Sequence, residues 1–399
     1  MSNTAPSDNR IYLDYAAATP IDARVLSAML PYFDARYGNA SSLHTSGRKA
    51  RGAIEAARAA AARVIHASPE EIIFTGSGTE SDNMALLGVA RANRARGNHI
   101  LISAIEHKAV IEAAEELRKE GFEVETVPAD EYGIVSVEEC MRRVTDKTIL
   151  ISIMYANNEI GTIEPIKELA AAIHAYRGGS PYPFLHTDAC PAAGFLTLDV
   201  TKLGVDLMTL NGSKIYGPKG VGLLYKRSTV SIRALIVGGE QEKNLRAGTE
   251  SVPVIVGFAE ALKIADAMRE EESSRLSALR DYFIAELLEK IPSAILNGHP
   301  RERLPNNASI TVPFVEGESM LLLLDRAGIE VSTGSACSAF DLRPSHVLLA
   351  IGHDPELVHG SVRFSLGRNT TKAGLERVLS VFPEIVQNLT RISALTAHV

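Results

Sequence analysis

The chain has 399 residues, 48 acidic against 41 basic side chains for a formal net charge of −7, three cysteines and no tryptophan. That length allows two or three domains that bury their own cores, and a mildly acidic chain with no Lys/Arg stripe speaks against direct nucleic-acid binding. No apolar run approaches the roughly 20 residues of a membrane span, residues 1–9 lack the apolar centre of a signal peptide, and the cysteines have neither Cys-x-x-Cys nor zinc spacing. A cytoplasmic protein without disulfides or structural zinc is expected, acting on a small molecule or a protein partner.

After the polar leader the chain carries an Ala-rich helical stretch at 50–64 and then alternates β-branched runs with helix-period segments. Strands are expected at 72–75, 100–103, 124–127, 149–154, 184–187, 207–210 and 221–225. Between them, Val110, Ala113, Ala114 and Leu117 form one apolar helical face, and Ile166, Leu169, Ala170 and Ile173 form another behind Pro165. This alternation predicts an α/β fold with a mainly parallel sheet covered by helices. From 253 to 290 one long helical run follows, charged in its middle at Arg269-Glu270-Glu271-Glu272. Strands at 309–312, 329–332 and 361–366 and helices at 319–326, 345–351 and 371–387 then predict a smaller α+β domain. The expected division is 11–255 for the large domain and 256–399 for the small one, with residues 1–20 packing near the latter.

Four segments depart from what a core or a solvated surface needs. Thr75-Gly76-Ser77-Gly78-Thr79-Glu80-Ser81-Asp82-Asn83 follows a strand and precedes an apolar helix. Glycines there leave N–H groups free for an anion, and the helix N-terminus adds partial positive charge. It is neither a P-loop nor a dinucleotide fingerprint. Asp188 ends an apolar strand, on the side where a parallel sheet opens its ligand crevice; it is either a helix cap or a buried anion facing a cationic ligand nitrogen. Lys214 lies in the Gly/Pro-rich corner Asn211-Gly212-Ser213-Lys214-Ile215-Tyr216-Gly217-Pro218-Lys219-Gly220 between two apolar strands, where a lysine can form a Schiff base with a carbonyl. Phosphate-ready turn, Asp and Lys in this order point to pyridoxal 5'-phosphate. The fourth segment, Ser332-Thr333-Gly334-Ser335-Ala336-Cys337, carries a thiol in a small-residue loop too polar for a core. Cys140, after Glu138-Glu139 in a helix, reads as structural, and Cys190 beside Asp188 reads as small-residue packing near a ligand.

Together with Tyr12-Leu13-Asp14-Tyr15-Ala16-Ala17, Tyr37-Gly38-Asn39-Ala40, Glu106-His107-Lys108, Asn157-Asn158-Glu159-Ile160-Gly161 and Arg363-Phe364-Ser365-Leu366-Gly367, these segments resemble the NifS/IscS-type cysteine desulfurases of the class V aminotransferase family. The resemblance runs from about Ile11 to Thr371. It implies a fold-type I homodimer with active sites at the subunit interface, pyridoxal 5'-phosphate as cofactor and L-cysteine as substrate. Lys214 would hold the cofactor, Asp188 would keep its ring nitrogen protonated, and His107 would stack on the ring and relay protons. Asn158 would contact the ring oxygen or the substrate. Gly78, Thr79 and Ser213 would bind the phosphate, joined by Thr249 from the other subunit. Arg363 would clamp the substrate carboxylate with Asn39 as a helper, and Cys337 would take the sulfur as a persulfide for acceptor or scaffold proteins of iron–sulfur cluster assembly or tRNA thiolation.

The chain departs from that pattern at Pro191, where a Gln is usual, at Ser213 for His, and at Asn211 and Ala247 for Ser. Pro191 cannot donate a hydrogen bond to the ring oxygen. Ser213 still donates through its hydroxyl, so a working cofactor site with altered affinity is expected. Selenocysteine lysis or another class V reaction is the alternative that keeps the cofactor and changes the substrate or reaction, and Pro191 and Ser213 motivate a third reading, a sulfur-transfer scaffold without turnover.

Overall fold

The computed structural model describes residues 10–333 and 344–392. The chain enters through a short strand, β1 (Ile11–Tyr12). Seven strands then build the main sheet: β2 (Ile72–Thr75), β3 (His99–Ser103), β4 (Glu123–Val127), β5 (Thr148–Ser152), β6 (Phe184–Asp188), β7 (Leu207–Asn211) and β8 (Gly222–Lys226). Their order across the sheet is β2-β8-β7-β6-β5-β3-β4. From β7 to β4 every neighbouring pair is parallel. β8 runs antiparallel to both β7 and β2.

Every residue of β2, β3, β5 and β6 is buried, the signature of strands covered on both faces. At the edge, β4 is mostly exposed and carries Glu123 and Glu125, charges that discourage pairing with another chain. One face packs under the Thr45–Val64 helix and the first half of the 39-residue Val252–Lys290 helix. The opposite face is covered by Met84, Leu86 and Leu87 and by Val110, Ala113, Ala114 and Leu117 of the Lys108–Lys119 helix. The apolar stripes at 110–117 and 166–173 therefore do pack against the sheet, as their spacing predicts.

A second core lies around the antiparallel sheet formed by β9 (Ile295–Leu296), β10 (Asn307–Thr311) and β12 (Ser361–Ser365), in the order β12-β10-β9. Phe364 sits between Phe283 and Phe382, ring centroids 5.0 and 5.4 Å away, a contact beyond simple area burial. The Val252–Lys290 helix serves both cores, contributing Val252 to Ala265 to the first and Leu276 to Leu287 to the second. β1 pairs in parallel with β11 (Ile329–Glu330), and Leu13 is buried in the second core. Among the described residues no helix is long and apolar enough to cross a membrane.

Candidate active site

The C-terminal ends of β5, β6 and β7 and the turn after β2 converge on one cavity of about 440 Å³. The turn is built first. Ser77 caps the helix that begins at Gly78, its side chain accepting from Glu80 N at 3.1 Å, and Glu80 Oε2 reaches back to Gly76 N at 2.8 Å. Arg246 Nε donates to Glu80 Oε1 at 2.9 Å and pins the pair. The N–H groups of Gly78 and Thr79 stand in the first turn, where no intrahelical acceptor exists. A Cβ on Gly78 would come within 2.9 Å of Cys190 Sγ and 3.2 Å of Asn211 Nδ2, so only glycine fits between these walls. The helix continues to Asn93 through a π turn at Met84–Gly88.

Asp188 closes β6, and its Oδ1 accepts from Cys190 N at 2.9 Å. Two residues earlier on the same face, His186 is fully buried, with Nδ1 2.8 Å from Ser152 Oγ and Nε2 3.1 Å from Thr209 Oγ1. Burial pushes His186 down to about 3 and leaves it neutral. Asp82 Oδ1 lies 3.7 Å from His186 Nε2. Burial, with the charge of Asp188 added, raises the Asp82 carboxyl well above its ordinary range. Sequence reasoning did not single out Asp82 as a site residue; its place four positions after Gly78, one turn into the same helix, was the available signal.

Lys214 follows β7 in the short Gly212–Lys214 turn, and its Nζ donates to Ala17 O at 2.5 Å. Thr19 N and Oγ1 both donate to Ser213 O, at 2.9 and 3.0 Å. The segment after β1 therefore straps the lysine corner. His107 caps the Lys108–Lys119 helix by accepting from Ala109 N on Nδ1 at 3.1 Å, which puts the proton of the neutral ring on Nε2. Asn157 Oδ1 accepts from the N–H groups of Glu159 and Ile160 at 2.8 and 2.9 Å, fixing the turn that presents Asn158.

Arg363 projects from β12 and is 2% exposed. Glu159, also on the cavity wall, accepts from Ser345 Oγ at 2.5 Å and is pushed by burial up to about 7. Gly78, Thr79 and His107 thus share one cavity with Asn158 and Asp188, and Ser213, Lys214 and Arg363 complete it. Two of the expected residues stand apart: Asn39 and Thr249 are exposed and lie off this wall. Cys337 lies outside the described residues. Cys140 is buried, and burial pushes its thiol up to about 12, in keeping with a structural residue. Cys190 is buried as expected of packing, yet its side also lines the cavity, and burial beside Asp188 raises its thiol.

The arrangement offers an amine, a buried carboxylate, an anion-ready helix turn and a guanidinium within one cavity. Comparison with known proteins agrees with this chemistry. Residues 11–378 match the family described as Aminotransferase class-V. The chain is 49% identical over 394 residues to "Cysteine desulfurase IscS" of Methanosarcina thermophila, covering 99% of this chain and 96% of that protein. It is 47% identical to "Cysteine desulfurase IscS 1" of Archaeoglobus fulgidus, covering 96% and 99%. A solved structure titled "NIFS-LIKE PROTEIN" superposes with a TM-score of 0.88 at 37% identity, covering 95% of this chain and 100% of that one. With the fold, the cavity and these relatives in agreement, the chain belongs to the class V aminotransferase family, among its NifS/IscS-type cysteine desulfurases.

Proposed function

We propose that the chain is a pyridoxal 5'-phosphate-dependent cysteine desulfurase that converts L-cysteine to L-alanine and keeps the sulfur on Cys337 as a persulfide. The observation that carries this reading is the shared cavity of Lys214, Asp188, the Gly78–Thr79 turn and Arg363. Its donor set fits a phosphorylated pyridine aldehyde: an amine for the carbonyl, a carboxylate for the ring nitrogen and helix-turn N–H groups for the phosphate.

When bound, pyridoxal phosphate supplies an electron sink for the bonds broken at Cα and Cβ of the substrate. Lys214 would hold the cofactor through its carbonyl, and its amine is the group placed to move the proton at the substrate Cα. Asp188 holds a proton on the ring nitrogen. Thr79, Gly78 and Ser213 would hold the phosphate, and His107, with its proton on Nε2, would stand on the same cavity wall as a proton carrier. Arg363 takes the substrate carboxylate, with Asn158 beside it. Cys337 thiolate attacks the substrate sulfur; the new S–S bond replaces the Cβ–S bond, and a proton delivered to Cβ completes alanine. The described ends on either side of residues 334–343 support this role for Cys337. Arg363 N donates to Ser332 O at 2.7 Å, and Ser345 bonds Glu159, both at the cavity. The persulfide then passes to an acceptor or scaffold protein.

The test incubates protein and pyridoxal phosphate with L-cysteine and a reductant and measures alanine and sulfide together. Wild type should release both, Cys337→Ala should lose the release, and Lys214→Ala should lose the covalent cofactor adduct trapped by borohydride. Equal release by wild type and Cys337→Ala sinks the persulfide step.

A further inference from the structure

Asp14, in the turn after β1, has no part in the chemistry described so far. Its Oδ1 accepts from Arg363 Nη2 at 3.0 Å, while Arg363 Nη1 donates to Asn158 O at 2.9 Å. The guanidinium is buried, so neither end can turn to water instead. Its Nε has no hydrogen-bond partner among the described residues, although the side chain lines the cavity. Nη1 and Nη2 each carry a second N–H beyond the bonds to Asn158 and Asp14, and a guanidinium that lines a cavity with donors to spare is suited to an anion.

The aspartate is itself rigidly delivered. Its backbone bridges to Ser365, Ala17 N donates to Asp14 O at 3.0 Å, and Tyr12 Oη donates to the same oxygen at 3.0 Å. Three residues on, Ala17 O receives the Lys214 amine. One short turn therefore holds both the lysine and, through Asp14, the arginine.

We propose that Asp14 is a positioning residue for the substrate: it fixes the plane of the Arg363 guanidinium so that the N–H groups left over at Nη1 and Nη2 meet the α-carboxylate of the amino acid. This rests on the function proposed above, in which Arg363 receives that carboxylate. A planar fork tied at two points has its remaining donors pre-aimed, and a carboxylate gains most from donors that need no reordering. Asp14 also brings a negative charge near the incoming anion. Without it, however, a buried guanidinium keeps a single main-chain tether and loses its one hydrogen-bonded carboxylate, with Glu159 left as the nearby acidic group, and the disorder and desolvation that follow outweigh the relief of repulsion.

The experiment uses protein loaded with pyridoxal phosphate, titrated with L-cysteine and with cysteamine, which keeps the amine and thiol and lacks the carboxylate. Cofactor absorbance reads binding, steady-state turnover reads KM and kcat, and thermal melting checks the fold. Asp14→Ala should raise the L-cysteine Kd and KM about tenfold to a hundredfold, the range of a lost charge-assisted hydrogen bond, with kcat within about threefold and cysteamine binding unchanged. Asp14→Asn, whose amide oxygen still accepts from Nη2, should show a smaller rise of about three- to tenfold; it carries the test should Asp14→Ala fail to fold. Unchanged or tighter L-cysteine binding in these variants, or a loss that falls equally on cysteamine, overturns the positioning role while the function stands. A wild-type protein whose absorbance does not respond to L-cysteine overturns both.

Discussion

Asn211 and Ser213 stand beside Lys214, where Ser and His are usual among the proteins this chain resembles, and both line the cavity. Ser213 Oγ donates to Asn211 Oδ1 at 3.4 Å, which turns Asn211 Nδ2 toward the turn at Gly78. A neutral amide donor is thereby placed at the anion-ready turn in place of an imidazole. A donor to a charged group is worth about 1.5–3 kcal/mol, so Asn211→Ala should weaken pyridoxal phosphate binding about tenfold or more, read by fluorescence titration. An unchanged Kd would exclude the amide as a phosphate ligand. The residues that the sequence made legible here each follow a strand end or open a helix, places where a polar side chain has no packing reason to be. Asp14, Asp82 and Glu159 stood inside the segments the sequence singled out, yet received no role for the opposite reason: a carboxylate in a helix or turn looks solvated until its partners are known, and only the folded chain puts Asp82 next to His186 and Asp188.

At the scale of elements, the continuous apolar runs were readable because both faces of the main sheet are covered, and the expected strands lie within about two residues of those observed. The reversed direction of β8, the two-residue strands β1 and β9 and the joining of two cores by one helix carry no periodicity of their own. Nor does the pairing of Arg58, on the Thr45–Val64 helix, with Glu242. Their side chains meet at 2.7 and 2.8 Å, Glu242 also accepts from Phe74 N at 2.8 Å, and the guanidinium lies 5.0 Å over the Phe74 ring. In the sequence Glu242 is one charge in Glu240-Gln241-Glu242-Lys243, the composition of a surface. Breaking a buried pair strands its partner, so Glu242→Ala should lower unfolding free energy by about 3–5 kcal/mol, whereas joint replacement by Arg58→Met and Glu242→Leu should cost far less; urea titrations distinguish the two. Glu164 gives the pH dependence. Its Oε2 accepts from Val135 N at 2.8 Å, yet burial pushes the carboxyl up to about 8 from 4.5. Between those values the folded chain holds a proton that the unfolded chain releases, so this group's contribution falls as pH rises through the window. Glu164→Gln, neutral at every pH, should reduce the loss of stability from pH 5 to pH 8 by at least about 1 kcal/mol. An identical slope in both proteins would mean that Glu164 ionises normally.

For the whole molecule, the position of Thr249 decides what assembly the function needs. It is exposed and away from the cavity of its own chain, so a phosphate contact from Thr249 requires a second copy. The segment from Leu26 to Leu43 leaves Leu26, Leu30, Phe33, Tyr37 and Leu43 exposed by 44, 56, 60, 79 and 89%, apolar area that burial against a second copy would remove from water. If two copies meet there and complete each other's sites, cofactor affinity and dimerisation are linked. Sedimentation should then find wild type as a dimer and the Phe33→Glu, Leu43→Glu double variant as a monomer. The monomer should bind pyridoxal phosphate about tenfold more weakly, the loss of one hydrogen bond to phosphate. Thr249→Ala should show the same weakening while remaining a dimer. Combining Thr249→Ala with the two interface changes should weaken binding no further, because a contact already absent cannot be removed twice. A monomer that binds the cofactor as tightly as wild type would place the whole phosphate site within one chain and leave Thr249 without a role in it.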